Sequence, residues 1–263
     1  MDYRFILGKL CGSDIAMLRG LERKILKQDI HAMEQWATFF AFDHPELVTD
    51  KIARRIERYY KKAISKNISR AMLNLGALYY NGVIVQRNFA KAVQLYEMAS
   101  VSDDANIAAR AICNLGYCYY YGRSIAVDKQ KAFEHFMKGV LLFNDPNCLY
   151  KLGDMYRYGE CVEKDEKMAY TLYKKAHSVH LYFEEVFADI LVRLGECELY
   201  GIGTRKDVIS AVKRFTLAEG YLYEKIHIKK DPFAYEVLAK VKGLIQTAEG
   251  MLQGGKNESN HTF

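Results

Sequence analysis

Two stretches decide the fold: residues 71–82, Ala71-Met72-Leu73-Asn74-Leu75-Gly76-Ala77-Leu78-Tyr79-Tyr80-Asn81-Gly82, and residues 88–99, Asn88-Phe89-Ala90-Lys91-Ala92-Val93-Gln94-Leu95-Tyr96-Glu97-Met98-Ala99. Aligned on Gly76, their pattern returns three more times, with Leu-Gly pairs at 115–116, 152–153 and 194–195. A second glycine follows six residues later in each copy: Gly82, Gly122, Gly159 and Gly201. Twelve after the first glycine stands Asn88, Asp128, Asp165 or Asp207, and sixteen after it stands an alanine: Ala92, Ala132, Ala169 or Ala211. Twenty after is aromatic (Tyr96, Phe136, Tyr173, Phe215), and twenty-three after is small (Ala99, Gly139, Ala176, Ala218). Internal repetition at this spacing marks a stack of similar supersecondary units.

Each column has a physical reason. A glycine inside a helix costs about 1 kcal/mol against alanine, so its recurrence predicts that a neighbouring helix backbone comes too close for a Cβ. The second glycine closes a tyrosine-rich helical end, where a left-handed residue commonly stops the helix. The Asn/Asp column then caps a second helix, its side-chain oxygen accepting from free N–H groups of the first turn. Alanine, aromatic and small residue, spaced i, i+4 and i+7, share one face of that helix. The unit reads as helix, glycine turn, capped helix. Segments 100–110, 143–147 and 177–188 differ in length between units, as linkers between stacked faces can.

The copies closely resemble the Sel1-like repeat, with its A-x-x-x-L-G-x-x-Y-x-x-G and D-x-x-K-A-x-x-Y-x-x-A signatures. The first copy carries Ala71, Leu75-Gly76, Tyr79, Gly82, Lys91-Ala92, Tyr96 and Ala99. In the third and fourth copies Cys148 and Ile190 replace the leading alanine, and the fourth has Glu198 where the family has tyrosine. That departure points to altered packing or an altered surface in the last repeat. The resemblance implies an all-α, right-handed α/α superhelical solenoid in the TPR-like superfamily. The expected layout is a helical cap with a degenerate repeat (1–67), four repeats (68–220), capping helices (221–253) and a disordered tail (254–263). Within the caps, 14–43 and 46–66 read as helices, and 232–252 as a closing helix with Pro232 in its first turn.

Composition agrees with a packed helical protein. Half the 263 residues are hydrophobic and only 3 are proline, which favours helices over loop-rich β architecture. The net charge of +6 is concentrated: residues 51–70 hold Lys51, Arg54, Arg55, Arg58, Lys61, Lys62, Lys66 and Arg70 against Glu57 alone, and the rest is close to neutral. Arg54, Arg55, Arg58, Lys61 and Lys62 form a candidate basic patch, with a solvated capping helix as the plainer account. Residues 1–12 lack a secretory apolar core, and Lys9 spoils the lipoprotein-like Leu10-Cys11-Gly12 step, so a cytoplasmic location with no membrane span is expected. The six cysteines show no CxxC pairing and the seven histidines no ligand ladder; buried thiols are expected, with no metal or cofactor.

If Leu75, Gly76 and Tyr79 face the core, positions −2, +1 and +5 from the glycine face outward. These are Asn74, Ala77 and Asn81; Asn114, Tyr117 and Tyr121; Lys151, Asp154 and Tyr158; Arg193, Glu196 and Tyr200. A concave partner-binding face with a tyrosine ladder follows, since tyrosine and arginine dominate hot spots. The resemblance implies a scaffold or adaptor that binds a protein partner; nucleic acid and small-molecule cofactors are not expected. The alternative within binding is a bacterial immunity or effector/secretion-associated protein holding one specific toxin or host partner. No nucleophile elbow, phosphate loop or H-E-x-x-H motif occurs, so no catalytic residue is expected. A helical-solenoid hydrolase would need Asp154 or Glu196 with a raised pKa.

Overall fold

The computed structural model of the chain describes residues 8–179, 186–227 and 234–259, with side chains described as far as residue 253. Among them stand twelve α-helices and no strand: α1 (Gly12–Leu26), α2 (Ile30–Thr38), α3 (Asp50–Ile64), α4 (Ser69–Asn81), α5 (Phe89–Ala99), α6 (Ala105–Tyr121), α7 (Lys129–Phe143), α8 (Pro146–Tyr158), α9 (Glu166–Ser178), α10 (Phe187–Tyr200), α11 (Val208–His227) and α12 (Ala234–Ser259). The chain divides into two compact units, 1–128 and 129–263, so the boundary falls inside the second repeat.

The repeat hairpin closes identically four times. The first helix ends on a left-handed glycine, with φ of 70°, 66°, 69° and 75° at Gly82, Gly122, Gly159 and Gly201. The capping residue then donates its backbone N–H to the first helix: Asn88 to Tyr79, Asp128 to Tyr119, Asp165 to Tyr156 and Asp207 to Glu198, at 2.8–3.0 Å. This bond holds the offset between glycine turn and second helix constant. The side chains of Asn88, Asp165 and Asp207 accept from the N–H of Lys91, Met168 and Ser210 at 2.9–3.0 Å, as N-caps do.

The Leu-Gly glycines are explained differently from the sequence expectation. A Cβ on Gly76, Gly153 or Gly195 would meet an aromatic ring of the second helix, not backbone: Tyr96, Tyr173 or Phe215 at 2.5–2.8 Å. Two columns of the repeat therefore interlock, the ring filling the space the glycine leaves.

In the first unit, α1 to α5 pack sequentially around a core of Trp36, Phe39, Phe40, Ile52, Ile56, Tyr60 and Tyr96. The expected helix over 14–43 is interrupted: Gln28 takes φ of 63° and Asp29 caps α2, while Phe39–Asp43 widens into a π turn. The expected helix over 46–66 begins only at Asp50, because Pro45–Leu47 forms a 3₁₀ turn and Thr49 provides the cap. In the second unit, α8 pairs with α9 around Leu149, Tyr173, Ile190 and Leu194, and α10, α11 and α12 enclose Leu191, Phe215, Leu222 and Val241. Pro232 and residues 180–185 of the expected 177–188 linker lie outside the described residues. The expected tail falls partly on the helical residues of α12 and partly, at 260–263, outside them.

Candidate functional site

In the second unit the first helices of the third and fourth repeats, α8 and α10, place like-numbered repeat positions beside one another. Lys151, Asp154 and Arg157 project from α8 at i, i+3 and i+6; Arg193 and Glu196 project from α10 at i and i+3. The charges cross between helices. Asp154 accepts from Arg193 Nε at 2.8 Å and from Tyr173 OH at 2.8 Å, and pairs with Lys151 Nζ at 3.2 Å. Glu196 accepts from Arg157 at 2.6 Å and from Lys240 of α12 at 2.5 Å, with Arg193 at 3.8 Å.

This overturns part of the groove reading. Lys151, Asp154 and Glu196 are buried, 5%, 2% and 5% exposed, and Arg193 is largely buried with them. Asn74 in the first unit is buried too, donating to Thr38 Oγ1 at 3.2 Å and Tyr60 OH at 3.4 Å. The physical reason is mutual neutralisation: opposite charges one repeat apart, or an amide beside two hydroxyls, satisfy one another without water. Burial by itself would raise both carboxyls, but Arg193 and Lys151 hold Asp154 below the usual carboxylate range, and Lys240, Arg193 and Arg157 do so for Glu196. Neither carries the raised pKa a buried general acid needs. Asp189, one turn before Arg193, is pushed up by burial.

The +5 position is exposed in all four copies. Tyr121, Tyr158 and Tyr200 are 46%, 56% and 50% exposed, at the last turn of α6, α8 and α10. Asn81 is exposed at the same position, while Asn114, Tyr117 and Ala77 are half-buried. Tyr117 stacks on Tyr121 with centroids 6.3 Å apart and planes at 6°. The Arg157 guanidinium lies 5.3 Å from the Tyr158 ring centroid.

Glu198, the departure from the family pattern, is a packing feature. It is buried, takes both contacts from Arg214 Nε at 2.7–2.8 Å and accepts from Tyr170 OH at 3.4 Å. Of the basic patch on α3, Arg54, Arg58, Lys61 and Lys62 are exposed. Arg55 is not: it binds Glu22 at 2.9 Å and Tyr59 OH at 2.8 Å, over the Trp36 ring at 4.2 Å. Sequence reasoning missed Arg157, Tyr173 and Lys240; the 39-residue spacing of Asp154 to Arg193 and of Arg157 to Glu196 was the signal for the first. No helix among the described residues is long and apolar enough to cross a membrane.

Residues 69–100, 109–139, 146–176 and 190–219 match the family model described as the Sel1 repeat. No curated protein matches the chain. Among solved structures, the chain is similar to a protective antigen present in uropathogenic Escherichia coli strains that displays an SLR fold. That match is 23% identical over 87% of this chain and 46% of the other, with a TM-score of 0.60. It is also similar to a Sel1 repeat protein from Oxalobacter formigenes, 20% identical over 86% of this chain and 88% of that one, with a TM-score of 0.59. The chain thus spans less than half the length of the Escherichia coli protein. At these identities the likeness is one of fold, the all-α solenoid class built from such repeats.

Proposed function

Because this chain belongs to the Sel1-repeat family, whose members generally serve protein–protein interaction, we propose that it is an adaptor that binds a segment of a partner protein on Tyr158 and Tyr200, the tyrosines closing α8 and α10. The observation that carries this reading is the exposure of Tyr158 and Tyr200 at one repeat position, while Lys151, Asp154 and Glu196 of the same helices are buried. A tyrosine offers a large apolar ring and a hydroxyl at small conformational cost, which suits it to recognise backbone and apolar side chains together. Tyr158 is additionally steadied by Arg157, itself tied to Glu196. The buried charges of α8 and α10 then act as the rigid bed beneath the contact surface and not as the surface itself. The same arrangement speaks against Asp154 and Glu196 as general acids, since cations hold both carboxylates ionised.

The test compares wild type with Tyr158→Ala/Tyr200→Ala, each confirmed as folded by circular dichroism, in capture from a source lysate followed by titration of the purified retained protein. Loss of at least tenfold in affinity in the variant supports the reading. A retained protein that binds both forms equally sinks it.

A further inference from the structure

We propose that the outer face of α3 is a second, electrostatic docking site for an acidic segment of a partner protein, separate from the tyrosine surface. The apolar side of the helix is committed: Ile52, Ile56, Tyr59, Tyr60 and Ala63 are all buried in the core of the first unit. Its other side presents Arg54, Arg58, Lys61 and Lys62 around a shallow depression of about 460 Å³, which Glu57 and Ser65 complete. From residue 54 to residue 65 this stripe runs roughly 16 Å along the helix axis.

Carboxylates near the stripe are already engaged. Glu57 is bound by Lys61 at 2.7 Å and by Tyr79 OH at 2.7 Å, and Glu22 by Arg55 at 2.9 Å. Among the described residues Arg54 and Arg58 contact no carboxylate, and Lys62 reaches only the Gln28 amide oxygen, at 3.4 Å. Three cations thus stand on one helix face with no carboxylate paired to them among the described residues, Arg58 lying 5.6 Å from the Tyr59 ring centroid, while the chain outside 51–70 is close to neutral.

Charge complementarity calls for an anion, and the surroundings favour a protein one. Single-stranded nucleic acid is held by aromatic platforms as well as charge, but the rings nearest the stripe, Trp36, Tyr59 and Tyr60, are buried. Tight duplex binding rests on some six to ten phosphate contacts, more than one short stripe supplies. A membrane surface yields only about 1 kcal/mol per basic side chain, and the apolar face that would insert is unavailable. Arginines one turn apart, each with a planar fork, match carboxylates spaced along an acidic peptide.

The experiment uses the full chain and a fluorescein-labelled twelve-residue peptide of alternating glutamate and glycine, read by anisotropy at two salt concentrations. Wild type is expected to bind, with affinity falling at high salt. Arg54→Glu/Arg58→Glu/Lys62→Glu is expected to lose at least tenfold, and its melting curve reports that the fold is intact. Lys138→Glu/Lys167→Glu/Lys175→Glu, exposed positions of the second unit, changes net charge equally and is expected to bind like wild type. No binding by wild type, or equal losses in the two variants, overturns the proposal. Tighter binding of an oligonucleotide of equal charge, or of phosphatidylserine vesicles, than of the peptide also overturns it.

Discussion

The ring of Tyr173 occupies the place where a side chain on Gly153 would be, its Cε1 only 2.5 Å from the position of a Cβ built on that glycine. The aromatic and the glycine lie twenty residues apart on the two helices of one repeat, and the ring fills the space that the glycine leaves.

Gly153→Ala should therefore destabilise the protein despite alanine's better helix propensity. The overpacking cost of roughly 1–3 kcal/mol exceeds the propensity gain of about 1 kcal/mol. Gly220, also mid-helix, has no atom within 4 Å of its Cβ position, so Gly220→Ala should stabilise by about 0.5–1 kcal/mol. Urea unfolding of the two variants checks the opposite signs; stabilisation by Gly153→Ala would refute the interlock.

Two turns carry strain that the fourth repeat avoids. Ser124 and Cys161 take φ of 63° and 58° at the place where the fourth repeat has Gly203, at 66°. Ser124→Gly should raise stability by about 0.5–1 kcal/mol, because glycine adopts that conformation without a Cβ penalty. Gly203→Ser should do the reverse and more severely, since its Cβ would run into the Glu166 carbonyl. Thermal melts of both variants decide the matter.

Asp154 neutralises Lys151 and Arg193 in a site where all three side chains are at most 19% exposed. Asp154→Ala should cost about 3–5 kcal/mol by leaving buried cations unpaired. Because its folded pKa lies below the unfolded value of about 3.9, its stabilisation is complete above that value. It is lost as pH falls through the folded pKa. Wild-type stability should therefore decline below about pH 4 more steeply than that of Asp154→Ala; parallel profiles would contradict the buried network.

Arg55 and Arg54 are sequence neighbours with opposite roles. Arg55→Ala removes the Glu22 pair, the Tyr59 bond and the contact over Trp36, at a cost of about 1–3 kcal/mol. Trp36 is the only tryptophan, so its emission should also shift in that variant. Arg54→Ala, on an exposed side chain, should stay within about 0.5 kcal/mol of wild type with unchanged emission.

Periodicity alone determined the repeat, its boundaries and its caps. Spacing is a local property, and the left-handed glycines, the Asn and Asp caps and the i, i+4, i+7 apolar face all act within one hairpin. The exposure of Tyr121, Tyr158 and Tyr200 was not legible, because the same spacing also fits rings packed between neighbouring helices. What the sequence left open is where charge goes when helices pair. Lys151, Asp154, Arg193 and Glu196 look like surface residues taken singly, since an isolated charge belongs in water. Only the apposition of α8 and α10 brings Asp154 to Arg193 and Glu196 to Arg157 one repeat away, and Lys240 arrives from a helix 44 residues beyond Glu196. Likewise Arg55 differs from Arg54 because α1 supplies Glu22 and α2 supplies Trp36 on one side of α3 and not the other. Desolvation energies depend on which partners are near, and partners distant in sequence are chosen by tertiary packing.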